Sequence, residues 1–319
     1  MLYRFVKIIA RTAIHFYCRD LQINKKEILA HDGPMMLAVN HPNSFLDAII
    51  LCTIFDKPVY SLARGDAFNG RLITKILLAL KLLPVYRVSE GVENLDENYK
   101  TFDQCKEIFR RNGIVLIFSE GKCVNEWHLR PLKKGTARLA ISSWADGIPL
   151  KVLPIGINYN SFGRFGKNVR LFFGQLITAD TINPDNGHGK SIQAFNTNLQ
   201  TQLSALVFEI DSNNKEKLKK TFYVEQPLLK KAVLFIPAII GWLLHAPLYY
   251  SVKKIVIRKT NSIDHFDSLM VAILFLAYPA YVGTITGFVF ILSGFWYSLL
   301  WLIIFPATAW ALLQLKKQF

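Results

Sequence analysis

The chain has 319 residues, 51% of them apolar, with 38 Lys/Arg against 23 Asp/Glu for a formal charge of +15. That length supplies core for one large domain or two small ones, but residues 268–315 run for 48 positions without an Asp, Glu, Lys or Arg, room for two spans of about 20 residues. A wholly soluble protein is thereby excluded, and an integral membrane protein with a soluble N-terminal domain is expected. The excess charge divides as +6 over residues 228–319 (eight Lys/Arg, two Asp) and +9 over 1–227, which points to lipid head groups, phosphorylated substrates or an acidic carrier protein. No nucleic-acid motif accompanies it, so no nucleic-acid partner is expected. Cys18, Cys52, Cys105 and Cys123 lack zinc or CxxC spacing, so no metal site is expected and the cysteines read as reduced, in a cytoplasm-facing protein.

Residues 1–20 mix Leu2, Phe5, Val6, Ile8, Ile9, Ala13, Ile14 and Phe16 with Arg4, Lys7, Arg11 and Arg19. The stretch is too charged to span a bilayer and lacks the cleavage site of a signal peptide. An interfacial helix is expected, its basic side chains reaching lipid phosphates; a helix packed only on the soluble core would carry the same pattern. After Asp32-Gly33-Pro34, the apolar run 35–39 reads as a buried strand that delivers Asn40-His41-Pro42-Asn43-Ser44-Phe45-Leu46-Asp47. An imidazole oriented by a carboxylate at a strand-to-helix junction is a general-base device. A capping histidine beside a solvated aspartate would have the same sequence.

A helical run from Asp47 through Ile54 stops at Asp56-Lys57-Pro58. A strand at 59–63, the turn Arg64-Gly65-Asp66, an apolar helix at 72–80 and a short strand at 82–86 ending at Arg87 follow. Such alternation marks an α/β sheet with helical crossovers. Residues 88–98 read as a polar loop, and 99–111 as an amphipathic helix with Phe102, Cys105, Ile108 and Phe109 on one face. Residues 114–118 form the clearest central strand, apolar throughout as a doubly covered strand is. It ends in Ser119-Glu120-Gly121-Lys122, where ligand sites of open α/β sheets gather.

The segment Arg130-Pro131-Leu132-Lys133-Lys134-Gly135 enters a helix at 136–144, a basic helix N-terminus suited to phosphate and equally readable as a solvated loop. A strand from 151 continues through Gly156-Ile157-Asn158-Tyr159, followed by a return strand at 169–173, a loop at 178–189, a helix at 191–210 and a charged connector at 212–220. Residues 232–252 are uncharged but hold Pro237, Gly241, His245 and Pro247, with lysines and Arg258 on both flanks. Because positive residues favour the cytoplasmic side, a re-entrant or interfacial 232–252, shielded by protein or water, followed by spans at 269–292 and 296–314, is preferred to three ordinary spans.

Four blocks therefore stand in a fixed order: Asn40-His41…Asp47, Leu83-Pro84-Val85-Tyr86-Arg87, Phe118-Ser119-Glu120-Gly121-Lys122 and Val152-Leu153-Pro154-Ile155-Gly156. Together they resemble the glycerolipid acyltransferase superfamily, which includes the 1-acylglycerol-3-phosphate and glycerol-3-phosphate acyltransferases and whose pattern is NH(x)4D, a strand-end Arg block, FPEG(T/S) and an apolar strand carrying a Pro. The resemblance spans residues 28–175. Five residues separate His41 from Asp47 where the usual spacing has four, and Ser119 and Lys122 replace the usual Pro and Thr/Ser. The longer spacing, with Arg130-Pro131-Leu132-Lys133-Lys134-Gly135-Thr136-Ala137, is similar to the branch containing the fungal-type glycerol-3-phosphate/dihydroxyacetone-phosphate enzymes.

The resemblance implies an α/β fold with a central, mostly parallel mixed sheet flanked by helices, an N-terminal interfacial helix and a C-terminal helical membrane region. The expected boundaries are 1–27 for the amphipathic helix and connector, 28–211 for the acyltransferase domain, 212–227 for a linker and 228–319 for the membrane region. It also implies O-acyl transfer from acyl-CoA or acyl carrier protein (acyl-ACP), as co-substrate and with no cofactor, to lysophosphatidate or glycerol-3-phosphate in phospholipid biosynthesis. His41 would be general base, oriented by Asp47. Substrate binding would fall to Asn40, Asn43, Arg87, Glu120, Gly121 and Lys133, with Arg64 a further contact, and backbone N–H groups near Asn40–Asn43 or Gly121 would serve the oxyanion. Partners would be the phospholipid membrane, the acceptor and the acyl donor, at a bacterial inner membrane with the catalytic domain on the cytoplasmic face. Acylation of another lysolipid or an amino-lipid, or a non-catalytic lipid-binding protein of this fold, are the alternatives.

Overall fold

In the computed structural model, which describes residues 1–86, 95–182, 187–259 and 265–319, every residue of the strand Met35–Val39 is buried. An apolar run without alternation can be satisfied only by cover on both faces. In chain order the elements are α1 (Leu2–Tyr17), β1 (Cys18–Ile23), β2 (Met35–Val39), α2 (Phe45–Ile54), β3 (Val59–Arg64), α3 (Arg71–Ala79), β4 (Leu82–Val85), α4 (Leu95–Arg110), β5 (Ile114–Phe118), α5 (Gly135–Ala145), β6 (Lys151–Tyr159), β7 (Lys167–Phe173), α6 (Ala179–Ile182), α7 (His188–Leu206), α8 (Lys215–Phe222), α9 (Leu228–Lys259), α10 (Phe266–Ser293) and α11 (Trp301–Leu315). The strands form one seven-stranded sheet in the order β1-β7-β6-β2-β5-β3-β4. All its neighbours are parallel except β6 and β7. The expected α/β class, a mostly parallel mixed sheet between helices, is what forms.

Alternation along β2 divides two cores. Met35, Leu37 and Val39 join Ile14 of α1 and Leu46 and Ile50 of α2 on one face. Met36 and Ala38 join Phe109 of α4, Leu139 of α5 and Phe195 and Leu199 of α7 on the other. Each large aliphatic side chain buried in this way contributes about 1.5–3 kcal/mol. Register then sets the site: Val39 stands opposite both Phe118 of β5 and Ile155 of β6, so the loops after β2 and β5 leave the sheet side by side.

The sheet begins at Cys18, inside the stretch expected as helix and connector. Arg19 and Asp20 hide this edge strand in the sequence, yet Asp20 pairs with Arg170 at 2.7 Å and Arg19 donates to the Leu313 carbonyl at 2.9 and 3.1 Å. Residues expected as a charged connector form α8, whose Phe222 is fully buried against Ile210 and Leu218. The loop expected at 178–189 contains α6. On α1 the two faces differ: Ile14 and Tyr17 enter the core while Phe5 and Ile8 stay exposed, the amphipathic arrangement of an interfacial helix.

Among the described residues three helices are long and apolar enough to cross a membrane: Leu228–Lys259, Phe266–Ser293 and Trp296–Leu315, the last opening with a 3-10 turn. Residues 232–252, expected as re-entrant or spanning, lie within the continuous α9 despite Pro237 and Pro247. A side chain on Gly241 would run into the Thr308 carbonyl of α11, so glycine lets these helices touch.

Gly156 has the same role between β6 and α7, where a Cβ would strike the Leu206 carbonyl. Gly156→Ala is expected to destabilise the protein by about 1–3 kcal/mol through overpacking, read as a lowered thermal unfolding midpoint in detergent; an unchanged midpoint would contradict this packing.

Candidate active site

His41 leaves the sheet two residues beyond β2, and its ring stacks on Phe118 with centroids 3.8 Å apart and planes 12° apart. Its Nδ1 lies 2.9 Å from Asp47 Oδ2. Among the described residues Nε2 has no hydrogen-bond partner, so the ring is oriented through one nitrogen and offers the other. Asp47 is fully buried in the first turn of α2, which excludes the solvated-aspartate reading. A buried carboxylate must have its lone pairs satisfied, and here they are. Oδ2 also accepts the Asn43 N–H at 2.8 Å, and Oδ1 accepts the Tyr159 hydroxyl at 2.6 Å. Tyr159, 0% exposed at the end of β6, was legible in the sequence only as the last residue of the strand that continues beyond the fourth block.

The five-residue spacing is absorbed by a turn in which Leu46 N–H returns to the Asn43 carbonyl and Asp47 N–H to that of Ser44. Ser44 takes φ +50°, an uncommon region for a residue with a side chain, and its N–H donates to Cys123 Sγ at 2.9 Å. Asn40 is locked to β6, donating to the Ile157 carbonyl at 3.1 Å and accepting the Ile157 N–H at 2.8 Å.

Glu120 stands beside His41 after β5. Its Oε2 accepts the His41 N–H at 2.8 Å and its Oε1 the Arg130 N–H at 3.0 Å, so this carboxylate braces the two loops together. Desolvation raises its pKa above the usual glutamate value, partly offset by these hydrogen bonds. Gly121 turns with φ +67°, and the Lys133 stem passes over it so closely that a Cβ would fall 2.9 Å from Lys133 Cγ. Lys133 N–H donates to the Ser119 carbonyl at 2.7 Å, which brings its exposed side chain and the start of α5 to the same sheet end. Of the backbone donors expected at the oxyanion, those of His41, Asn43 and Gly121 are turned to partners inside the protein.

Arg64 is exposed at the end of β3 and paired with Asp66, beyond the β2–β5 centre of the sheet. Arg87 lies outside the described residues. Among the described residues no group of three His, Cys, Asp or Glu could hold a metal ion. A groove of about 930 Å³, lined in part by Pro58, Lys81, Lys100 and Gly113, opens at the amino ends of β3, β4 and β5. It is therefore at the opposite sheet end from His41, where open α/β sheets do not place their chemistry.

A histidine–carboxylate pair beyond the carboxyl ends of a parallel sheet, with a basic helix entry beside it, has the geometry that a general base uses in transferases and hydrolases. Residues 20–158 match the model of a family described as Acyltransferase. Among the solved structures that match is the 1-acyl-sn-glycerophosphate (LPA) acyltransferase PlsC from Thermotoga maritima, at 14% identity and a TM-score of 0.46, the match covering 70% of this chain and 81% of that one. No curated protein sequence matches.

The Tyr159 hydroxyl carries a testable weight. Removing a hydrogen bond to a charged group costs about 1.5–3 kcal/mol, so Tyr159→Phe is expected to lower turnover roughly tenfold or more, with the protein still folded; steady-state kinetics showing wild-type turnover would contradict its hold on Asp47.

Proposed function

We propose that this protein is a membrane-bound O-acyltransferase that moves a fatty acyl group from an acyl thioester, acyl-CoA or acyl-ACP, to a hydroxyl of lysophosphatidate or glycerol-3-phosphate in phospholipid biosynthesis. The observation that carries the reading is the buried Asp47 holding His41 by Nδ1, with Nε2 left for substrate, inside a segment that matches the Acyltransferase family.

In this mechanism His41 Nε2 takes the acceptor hydroxyl proton as the oxygen attacks the thioester carbonyl. The new C–O bond forms, the C–S bond breaks, and the imidazolium returns its proton to the leaving thiolate. Asp47 fixes the tautomer and stabilises the imidazolium without itself taking the proton, and no acyl-enzyme is needed. The acceptor phosphate is assigned to Arg87, Lys133 and the amino end of α5, where free N–H groups and lysine charge act together. Glu120, with both oxygens on backbone N–H groups, serves by shaping the site. Cys52 and Cys105 are disfavoured as nucleophiles, because burial pushes their thiols up to about 12, leaving negligible thiolate at neutral pH. The apolar helices α9–α11 and the exposed face of α1 suit a bilayer, which we assign to a bacterial inner membrane with the catalytic domain on the cytoplasmic face.

The test is thiol release from acyl thioesters by purified, detergent-solubilised protein across a panel of acceptors. Release is expected only with acceptor present, and best with phosphorylated glycerols. Lys133→Gln should raise the acceptor KM about tenfold, the scale of one charged hydrogen bond, and leave kcat unchanged. Equal use of acceptors lacking phosphate, with no effect of Lys133→Gln, would favour another lysolipid or an amino-lipid; no release with any acceptor would favour a lipid-binding protein of this fold.

A further inference from the structure

We propose that Asp267, in the first turn of the membrane-region helix α10, is a positioning residue for the His41–Asp47 pair, acting through Asn43. The proposal rests on the reading of His41 as the base and adds to it a residue 220 positions downstream of Asp47.

Asp267 is 2% exposed, and its Oδ2 takes two partners: Lys167 Nζ of β7 at 2.5 Å and Asn43 Nδ2 at 3.1 Å. Asn43 is itself fully buried, and its backbone N–H is one of the donors on Asp47 Oδ2, the oxygen that faces His41 Nδ1. A continuous line of hydrogen bonds therefore runs from α10 to the imidazole. Two further contacts tie the same turn to the same helix: Ser44 Oγ lies 2.9 Å from His265 Nδ1, and Ser268 Oγ donates to the Asn43 carbonyl at 3.5 Å.

The loop requires such a hold. It contains the extra residue of the His41–Asp47 spacing and a serine at positive φ, a conformation that persists only where the surroundings impose it. Stability alone is a weak reason for the cluster. Lys167 is fully buried, between the Tyr17 and Tyr159 rings, and desolvation lowers its pKa; replacing a buried ion pair by apolar groups is often neutral or stabilising. What an apolar pair could not do is accept the Asn43 amide.

Two double variants separate these roles, because both remove the ion pair. Asp267→Asn with Lys167→Met keeps an oxygen able to accept from Asn43 Nδ2; Asp267→Leu with Lys167→Met does not. The first is expected to keep near-wild-type kcat. The second is expected to lose about 100-fold in kcat with both KM values unchanged, the scale for a misplaced catalytic group, when both are assayed well below their thermal midpoints. Equal kcat in the two variants, or a kcat difference that vanishes at temperatures where both are fully folded, overturns the proposal. If neither double variant folds, Asn43→Ala, which leaves the ion pair intact, must itself lower kcat without moving KM, and unchanged kcat overturns it. The His41 Nδ1–H proton resonance reads the geometry without turnover. A shift confined to the Leu/Met variant, in a protein that transfers no acyl group, would sink the acyltransferase reading and leave the positioning intact; no shift, with transfer intact, would do the reverse.

Discussion

The Asp47 carboxylate is the constraint on which this structure turns. It is fully buried, and an unpaired charge at that depth would be prohibitively costly. The chain answers with the His41 ring and the Asn43 N–H on one oxygen and the Tyr159 hydroxyl on the other. His41 and Asn43 come from the one turn between β2 and α2, and Tyr159 from the far end of β6. Satisfying one carboxylate therefore ties that turn to β6, and the imidazole is oriented as a consequence.

Sheet register makes that convergence possible. Parallel pairing of β2 with β5 and β6 in level register places the His41 and Glu120 loops side by side, and Glu120 then ties them through two backbone N–H groups. The apolar helices are joined to the same unit by polar contacts. Arg19 reaches the Leu313 carbonyl, Gln318 bonds Asn168 and Val224, and Lys167 meets Asp267. Polar contacts this far from solvent are costly to leave half made, so the C-terminal helices have a defined seat on the α/β domain.

Much of this was legible in the sequence where one residue type has one physical use. The uninterrupted apolar runs at 35–39 and 114–118 read as doubly covered strands, and histidine and aspartate after the first pointed to the site. Elements stabilised by tertiary partners were not legible. β1 carries Arg19 and Asp20, whose charges look solvated until Leu313 and Arg170 are brought beside them. α8 is written mostly in lysines, and only Leu218 and Phe222 reveal its packed side. Tyr159 and Asp267 lie 112 and 220 residues from Asp47, and no local pattern announces that a hydroxyl and a second carboxylate will meet the first. The odd spacing between His41 and Asp47 was visible, but its physical meaning, a turn held from outside, needed the fold.

His41 is proposed as the general base. The direct measurement is acceptor-dependent thiol release by His41→Ala in detergent, alongside circular dichroism and thermal unfolding to establish that the variant is folded. General-base catalysis contributes about 10²–10⁴-fold, so turnover should fall by at least the lower of these factors while the unfolding profile stays that of the parent. Near-wild-type turnover from a folded His41→Ala protein would contradict the claim.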